Sequence, residues 1–222
     1  GPSSTTASTI KFNNPRSFNF DGTNDFVDLG SNFNSINGVS QLTISGWVKR
    51  NTEDSNFGGL FSKYESTSSW IEAVWHSSEG LLLLPAGSSA YGKMTIPSGT
   101  DWKHLAFVFD GTQTGNADRV KIYVNGVSQV LSFVGTIPAT TASPAATAVI
   151  GLDQNNATYL DALIDDVRIY NRALTPAEIY TLYLGNQPAT SYAGNSQTLA
   201  SALTVNGNLS LNSGILDSSS SA

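Results

Sequence analysis

Hydrophobic positions along the chain fall in short bursts, each bounded by Gly, Asn, Asp or Ser. Ten such segments read as strands, at residues 16–20, 25–29, 42–48, 59–62, 70–75, 80–84, 102–109, 120–124, 148–151 and 162–170. Each is rich in β-branched and aromatic residues and too short for an ordinary helix. Asp110-Gly111 and Asn125-Gly126 are tight-turn signals, because both central residues of a type I′ turn need positive φ. Many short strands joined by Gly-rich turns predict a sandwich or jelly roll.

One helix interrupts this rhythm, at residues 174–185. Thr175 can cap it, Pro176 suits its first turn, Glu178 completes a capping box and Gly185 stands where it would end. Leu174, Ile179 and Leu182 would then plug one end of the sandwich. After it the pattern changes again. Residues 203–216 alternate apolar residues with Asn, Gly and Ser, which reads either as a rung of a repetitive β-structure or as a linker. Three zones follow: a polar leader at 1–14, a β-rich domain at 15–185, and a Ser/Asn/Gly-rich tail at 186–222. The opening Gly1-Pro2, without a methionine, reads as a protease-cleavage scar, and the chain as part of a larger multidomain protein.

Composition narrows the chemistry. The 222 residues include 17 acids and 11 bases, a net charge of −6, with no Cys and two His. A disulfide framework, a thiolate nucleophile and a Cys-based zinc site are therefore excluded. An acidic chain with no basic run argues against nucleic acid. The longest aliphatic run is residues 81–84, all Leu, so no membrane insertion is expected.

Four stretches resemble the laminin-G-like, concanavalin A-like lectin/glucanase domain in its bacterial, pentraxin-related form. Phe20-Asp21-Gly22 with Asp25-Phe26-Val27-Asp28 resembles the opening signature. Residues 42–48 resemble an early strand motif ending in Trp47-Val48. Trp102 through Gly111, with Tyr123-Val124-Asn125-Gly126, resembles the middle block. Residues 164–179 resemble the closing motif. The match spans about 16–185. It implies an all-β, two-sheet antiparallel jelly roll with one short C-terminal helix, and it identifies the fold better than the ligand.

The same resemblance implies a structural Ca²⁺ bridging the first and last strands. Carried over, Asp21 and Asp165 match motif positions, Asn24 follows from its place in the turn, and Asp166 adjoins Asp165. Ca²⁺ takes six to eight oxygens, and simple alternation sets Asp165 on the face of Val167 and Ile169, where an inward carboxylate needs compensation. The alternative is that Asp21 and Asn24 form a side-chain-stabilised turn while Asp165 accepts backbone hydrogen bonds.

Catalysis is not expected. The five Glu are Glu53, Glu65, Glu72, Glu79 and Glu178, and none has an acid two or four residues away, the spacing paired carboxylates need on one strand face. Asp161 and Asp165 have that spacing, but the resemblance assigns Asp165 to metal or scaffold. His104 sits in a hydrophobic strand and reads as structural. Sugar binding needs an aromatic platform with amides or acids beside it. Tyr64, Trp70, Trp75 and Tyr91 offer the first, with Phe57, His76, Glu65 and Glu72 nearby, and a second loop offers Asn156 and Tyr159. Trp70 and Trp75 are five apart and so face opposite sides of a strand, which leaves at most one in the core; Trp47 and Trp102 read as core. The expectation is a non-catalytic binding module, extracellular or at a cell surface, whose partner is a glycan or cell-surface polysaccharide. The competing classes are a structural spacer of a long surface protein and an accessory domain of a glycoside-processing enzyme.

Overall fold

The computed structural model describes residues 8–9, 17–52, 58–76, 79–87 and 89–185. The tail pattern at 203–216, most of the polar leader, and Phe57 lie outside the described residues. In chain order the elements are β1 (Ser8–Thr9), β2 (Phe18–Asp21), β3 (Val27–Asp28), β4 (Gln41–Arg50), β5 (Gly59–Ser66) and β6 (Ser69–His76). Next come β7 (Gly80–Leu84), β8 (Tyr91–Met94), β9 (Lys103–Asp110), α1 (Asn116–Arg119), β10 (Val120–Val124), β11 (Val127–Ser128) and β12 (Ser132–Val134). The last are β13 (Val149–Ile150), β14 (Leu152–Asp153), β15 (Thr158–Tyr159), β16 (Asp161–Tyr170) and α2 (Pro176–Gly185).

The strands form a jelly roll of two antiparallel sheets. One runs β1-β16-β4-β9-β10-β11, with β2 also on β16; the other runs β12-β8-β7-β6-β5-β13-β3. Period-two alternation sends one set of side chains inward from each sheet. Ile44, Val48, Leu105, Phe107, Ile122 and Ile164 from the first sheet meet Phe61, Ile71, Trp75, Leu81 and Leu83 from the second. The first and last strands of the domain do lie side by side, Phe20 opposite Ala162.

Two details depart from the sequence reading. Asn125 and Gly126 have φ of 51° and 78°, as a type I′ turn requires, but Gly111 is not in that region. Its Cβ would lie 1.9 Å from the Ala139 carbonyl oxygen, so the glycine serves a close backbone approach instead. Helix α2 packs on the outer face of the first sheet, where Leu174 and Ile179 cover Ala106, Val108 and Tyr123; it does not plug an end of the sandwich. Its capping box is formed: Glu178 N–H donates to Thr175 Oγ1 at 3.3 Å and Thr175 N–H donates to Glu178 Oε2 at 2.8 Å. Arg172 pairs with the same carboxylate at 2.8 Å. That hydrogen bond, with those from Thr175, holds the Glu178 carboxyl down at about 2. Thr175→Ala should cost about 1 kcal/mol, read as a lowered urea midpoint; an unchanged midpoint would mean that the cap is idle.

Candidate functional site

The residues expected to hold calcium do not converge. Asp21 lies opposite Asp161, four positions from Asp165 on β16. At ~3.3 Å per residue that is about 13 Å, beyond what two Asp side chains bridge through one ion. The register of β16 against β4 shifts between Asp165 and Arg168, and Asp166 adopts φ 49° in the resulting bulge. The bulge resets alternation. Asp165 therefore shares the outer face with Trp47, its partner across β4, rather than the inner face of Val167. Asp166 is ion-paired to Arg168 at 2.9 Å, and Asn24 is exposed on the turn after β2. Asp21 Oδ1 accepts the Thr23 N–H at 2.8 Å, the side-chain-stabilised turn weighed as the alternative.

His104, in β9, is 2 % exposed, and burial followed by the Arg168 charge pushes its pKa down to about 4. Its ring lies edge-on to Trp47, centroids 5.4 Å apart, beside Tyr183 of α2. It is a neutral, buried side chain, as a structural role requires.

The outer face of the second sheet is different. Trp70 and Trp75 do face opposite sides of β6, but both are buried. Trp75 belongs to the core between the sheets, which corrects its assignment to a ligand surface. Trp70 joins Val74, Leu82 and Leu84 in a separate apolar cluster on the outer face, with Tyr64 and Tyr91 packed at its margins. The Tyr64 and Trp70 rings are 4.9 Å apart. Trp70 is 3 % exposed, so it is a floor residue rather than a projecting platform, and its indole N–H has no hydrogen-bond partner among the described residues.

Register lays this face out in rows. Ser62 is opposite Glu72, and Glu72 is opposite Leu84. Leu83 is opposite Gly92, which brings Tyr91 next to Leu84, and Tyr91 is opposite Val134. At the Ser62 end the β14–β15 hairpin folds against β5. Gln154 Oε1 accepts the Tyr64 N–H at 2.8 Å, Gln154 N–H donates to Ser62 Oγ at 3.2 Å, and Gln154 Nε2 donates to the Thr147 carbonyl at 3.1 Å. The hairpin delivers Asp153 to Glu72 from 81 positions along the chain. The two are 1 % and 2 % exposed. Burial first, and then the Asp153 charge, raises the Glu72 pKa to about 8, against hydrogen bonds from Ser62 and the Asn155 backbone. Glu72 thus keeps its proton at neutral pH.

Sequence reading found no acidic partner for any Glu because it searched within single strands; this pair is formed across the fold. No local pattern announces it. Both acids are engaged: the Ser62 hydroxyl donates to Glu72, while Asn156 donates to Asp153 through its backbone N–H at 3.1 Å and its Nδ2 at 2.9 Å. Asn156 itself is exposed on the hairpin tip, and Tyr159 is half-buried with its ring 6.4 Å from Phe26. The face therefore offers the Gln154 and Asn156 amides at one end and the Tyr64 and Tyr91 rings beside a buried apolar cluster. That arrangement can hold a polyhydroxylated ligand, and its buried carboxyls are committed to holding the hairpin.

Residues 21–180 match the family model described as the concanavalin A-like lectin/glucanases superfamily. Among solved structures, the chain is similar to domain 4 of AbnA, a GH43 extracellular arabinanase from Geobacillus stearothermophilus, in complex with arabinotriose. The identity is 30%, the TM-score 0.51, and the alignment covers 67% of this chain and 69% of that one. It is also similar to a native heptameric SAP-like pentraxin from Limulus polyphemus, at 18% identity and TM-score 0.46, covering 76% of this chain and 82% of that one. A mutant of Trypanosoma rangeli sialidase displaying trans-sialidase activity matches at 15% identity and TM-score 0.50, covering 81% of this chain and 29% of that one. No curated protein sequence matches.

Proposed function

The chain belongs to the concanavalin A-like lectin/glucanase superfamily, and on that premise we propose that it is a non-catalytic carbohydrate-binding module. The ligand lies on the outer face of the sheet β12-β8-β7-β6-β5-β13-β3. The observation that carries this reading is the pair of partly exposed rings, Tyr64 and Tyr91, that flank the Trp70 cluster, with the Gln154 and Asn156 amides on the hairpin beside Tyr64. Sugars present exactly such a mixed surface, with apolar C–H faces and hydroxyls in fixed directions. Gln154, Asn156 and Tyr64 form the accessible lip of this face, and Trp70 and Leu84 form its buried apolar floor.

Glu72 and Asp153 superficially match a hydrolase pair, one acid protonated beside another. Their near-complete burial and their use in anchoring the hairpin support binding rather than turnover. No part of the binding is assigned to calcium. The likeness to an arabinanase domain makes arabino-oligosaccharides the first ligands to test, and favours a module that works outside the cell as an accessory to glycan processing.

The test is calorimetric titration of the full chain with arabinotriose and longer arabinan fragments, alongside a broad glycan array. Saturable binding is expected, with Tyr64→Ala weakening it about tenfold through loss of stacking area. An absence of saturable binding across the array would favour the structural-spacer reading and overturn this one.

A further inference from the structure

We infer that the far end of this same face holds a second sugar subsite, built on Glu79, Lys93 and Tyr91, so that the ligand is an oligosaccharide lying across the strands. The inference rests on the carbohydrate-binding reading. An open cleft of about 340 Å³ is lined there by Glu79, Gly80, Lys93, Met94, Thr95, Ile96 and Ser132. Within it the Lys93 ammonium is ion-paired to Glu79 Oε2, and the Tyr91 hydroxyl donates to the same oxygen at 3.4 Å.

The chemistry of the cleft suits neutral hydroxyls. A lone ammonium would select an anion, but here its charge is balanced by a carboxylate. An ammonium has three N–H donors and a carboxylate about four acceptor positions, so the pair keeps donors and acceptors available after meeting each other. Both side chains are accessible, at 28% and 32% exposure. A bidentate contact to neighbouring hydroxyls is what a fixed donor–acceptor pair of this kind provides.

Register makes the cleft continuous with the first site. Lys93 is opposite Leu82, and Leu82 is opposite Val74. Leu82 and Val74 share the apolar cluster with Trp70 and Leu84. From Glu72 on β6 to Lys93 on β8 is two strand spacings across and two residues along, about 12 Å, wider than one sugar ring. A ligand that reaches both ends is therefore a chain of sugars running obliquely across the strands, over Leu84 and Leu82.

Titrating the whole protein with arabinan fragments of increasing length tests this. Affinity should rise with length in the unmodified protein. Lys93→Met and Glu79→Gln should each remove about tenfold from the long fragments, the worth of one hydrogen bond to a charged group, and leave the shortest binding fragment unaffected. Both are surface substitutions, and an unchanged melting temperature would confirm intact folding. Binding that is independent of length, or equal losses on short and long fragments, would overturn the subsite while leaving the binding module standing. No binding by any fragment or array glycan would overturn both.

Discussion

Raising the pH from 6.5 to 8.5 is expected to destabilise this protein by about 2 kcal/mol, and Glu72→Gln is expected to abolish most of that loss. The Glu72 carboxyl titrates near 8 in the folded protein, raised from an ordinary value of 4.5. Between those limits the folded state binds the proton and the unfolded state does not. Stability therefore falls as pH rises, at up to about 1.4 kcal/mol per pH unit. His104 runs the other way. Its folded value is about 4, lowered from 6.5, so the stability it brings is present above pH 6.5 and is lost as pH falls toward 4. The two slopes oppose each other below pH 6.5, and above it the His104 contribution is complete while the Glu72 slope continues. Gln is close to isosteric with a protonated Glu and can keep a hydrogen bond to Ser62. Urea unfolding of both proteins at several pH values between 6.5 and 8.5 measures the difference in slope. Parallel curves would refute the assignment, as would an NMR titration showing the Glu72 carboxyl ionised at pH 6.

Ten of the strands were legible in the sequence because each lies in its own burst of apolar residues between turn formers, whereas β1, β8, β11, β12, β14 and β15 carry no such burst and are held by their neighbours. The capping box of α2 was legible because Thr175 and Glu178 are local partners. The opposed faces of Trp70 and Trp75 followed from spacing alone. What could not be read was anything decided by a second segment. Trp70 is buried because side chains of the neighbouring strands, Tyr64 and Leu82 and Leu84 among them, pack around it, a property that β6 does not encode. The bulge at Asp165–Asp166 turns a carboxylate from the inner face to the outer, and period-two counting carries no sign of it. Glu72 meets Asp153 only because the β14–β15 hairpin folds against β5. The candidate site was thus legible as a region, through Tyr64, Trp70, Tyr91 and Asn156, but its polar centre was not.

Lys63→Met should destabilise the protein by about 3 kcal/mol, a large effect for a single surface-type residue. A lysine in a β-segment ordinarily points to solvent, yet Lys63 is fully buried on the inner face of β5, opposite Ile71. Its ammonium donates to the Phe33 carbonyl at 3.0 Å, to Asn34 Oδ1 at 2.8 Å and to Asn37 Oδ1 at 3.0 Å. Burial lowers its pKa, with Glu65 opposing, so the charge is costly and the three oxygens are what hold it. Those oxygens belong to the loop after β3, which is tied in turn to a second segment. Asn37 Nδ2 donates to the Pro144 carbonyl at 3.2 Å, and the Thr141 hydroxyl donates to the Ile36 carbonyl at 2.7 Å. That second segment carries the Thr147 carbonyl that receives Gln154. Met matches Lys in length and burial but takes the ammonium from three acceptors, of which Asn34 Oδ1 keeps a donor in Asn37 Nδ2 at 3.1 Å, and hydrogen bonds to a charged group are worth ~1.5–3 kcal/mol each. Relief of the buried charge offsets part of that sum, which sets the expected net loss. Lys93→Met serves as the control: the same substitution at an accessible, solvent-screened ion pair should leave the urea midpoint nearly unchanged. Equal urea midpoints for the two variants would show that the Lys63 cage is dispensable. A selective loss at Lys63 would show that the loop after β3 is held by the protein's own internal cation.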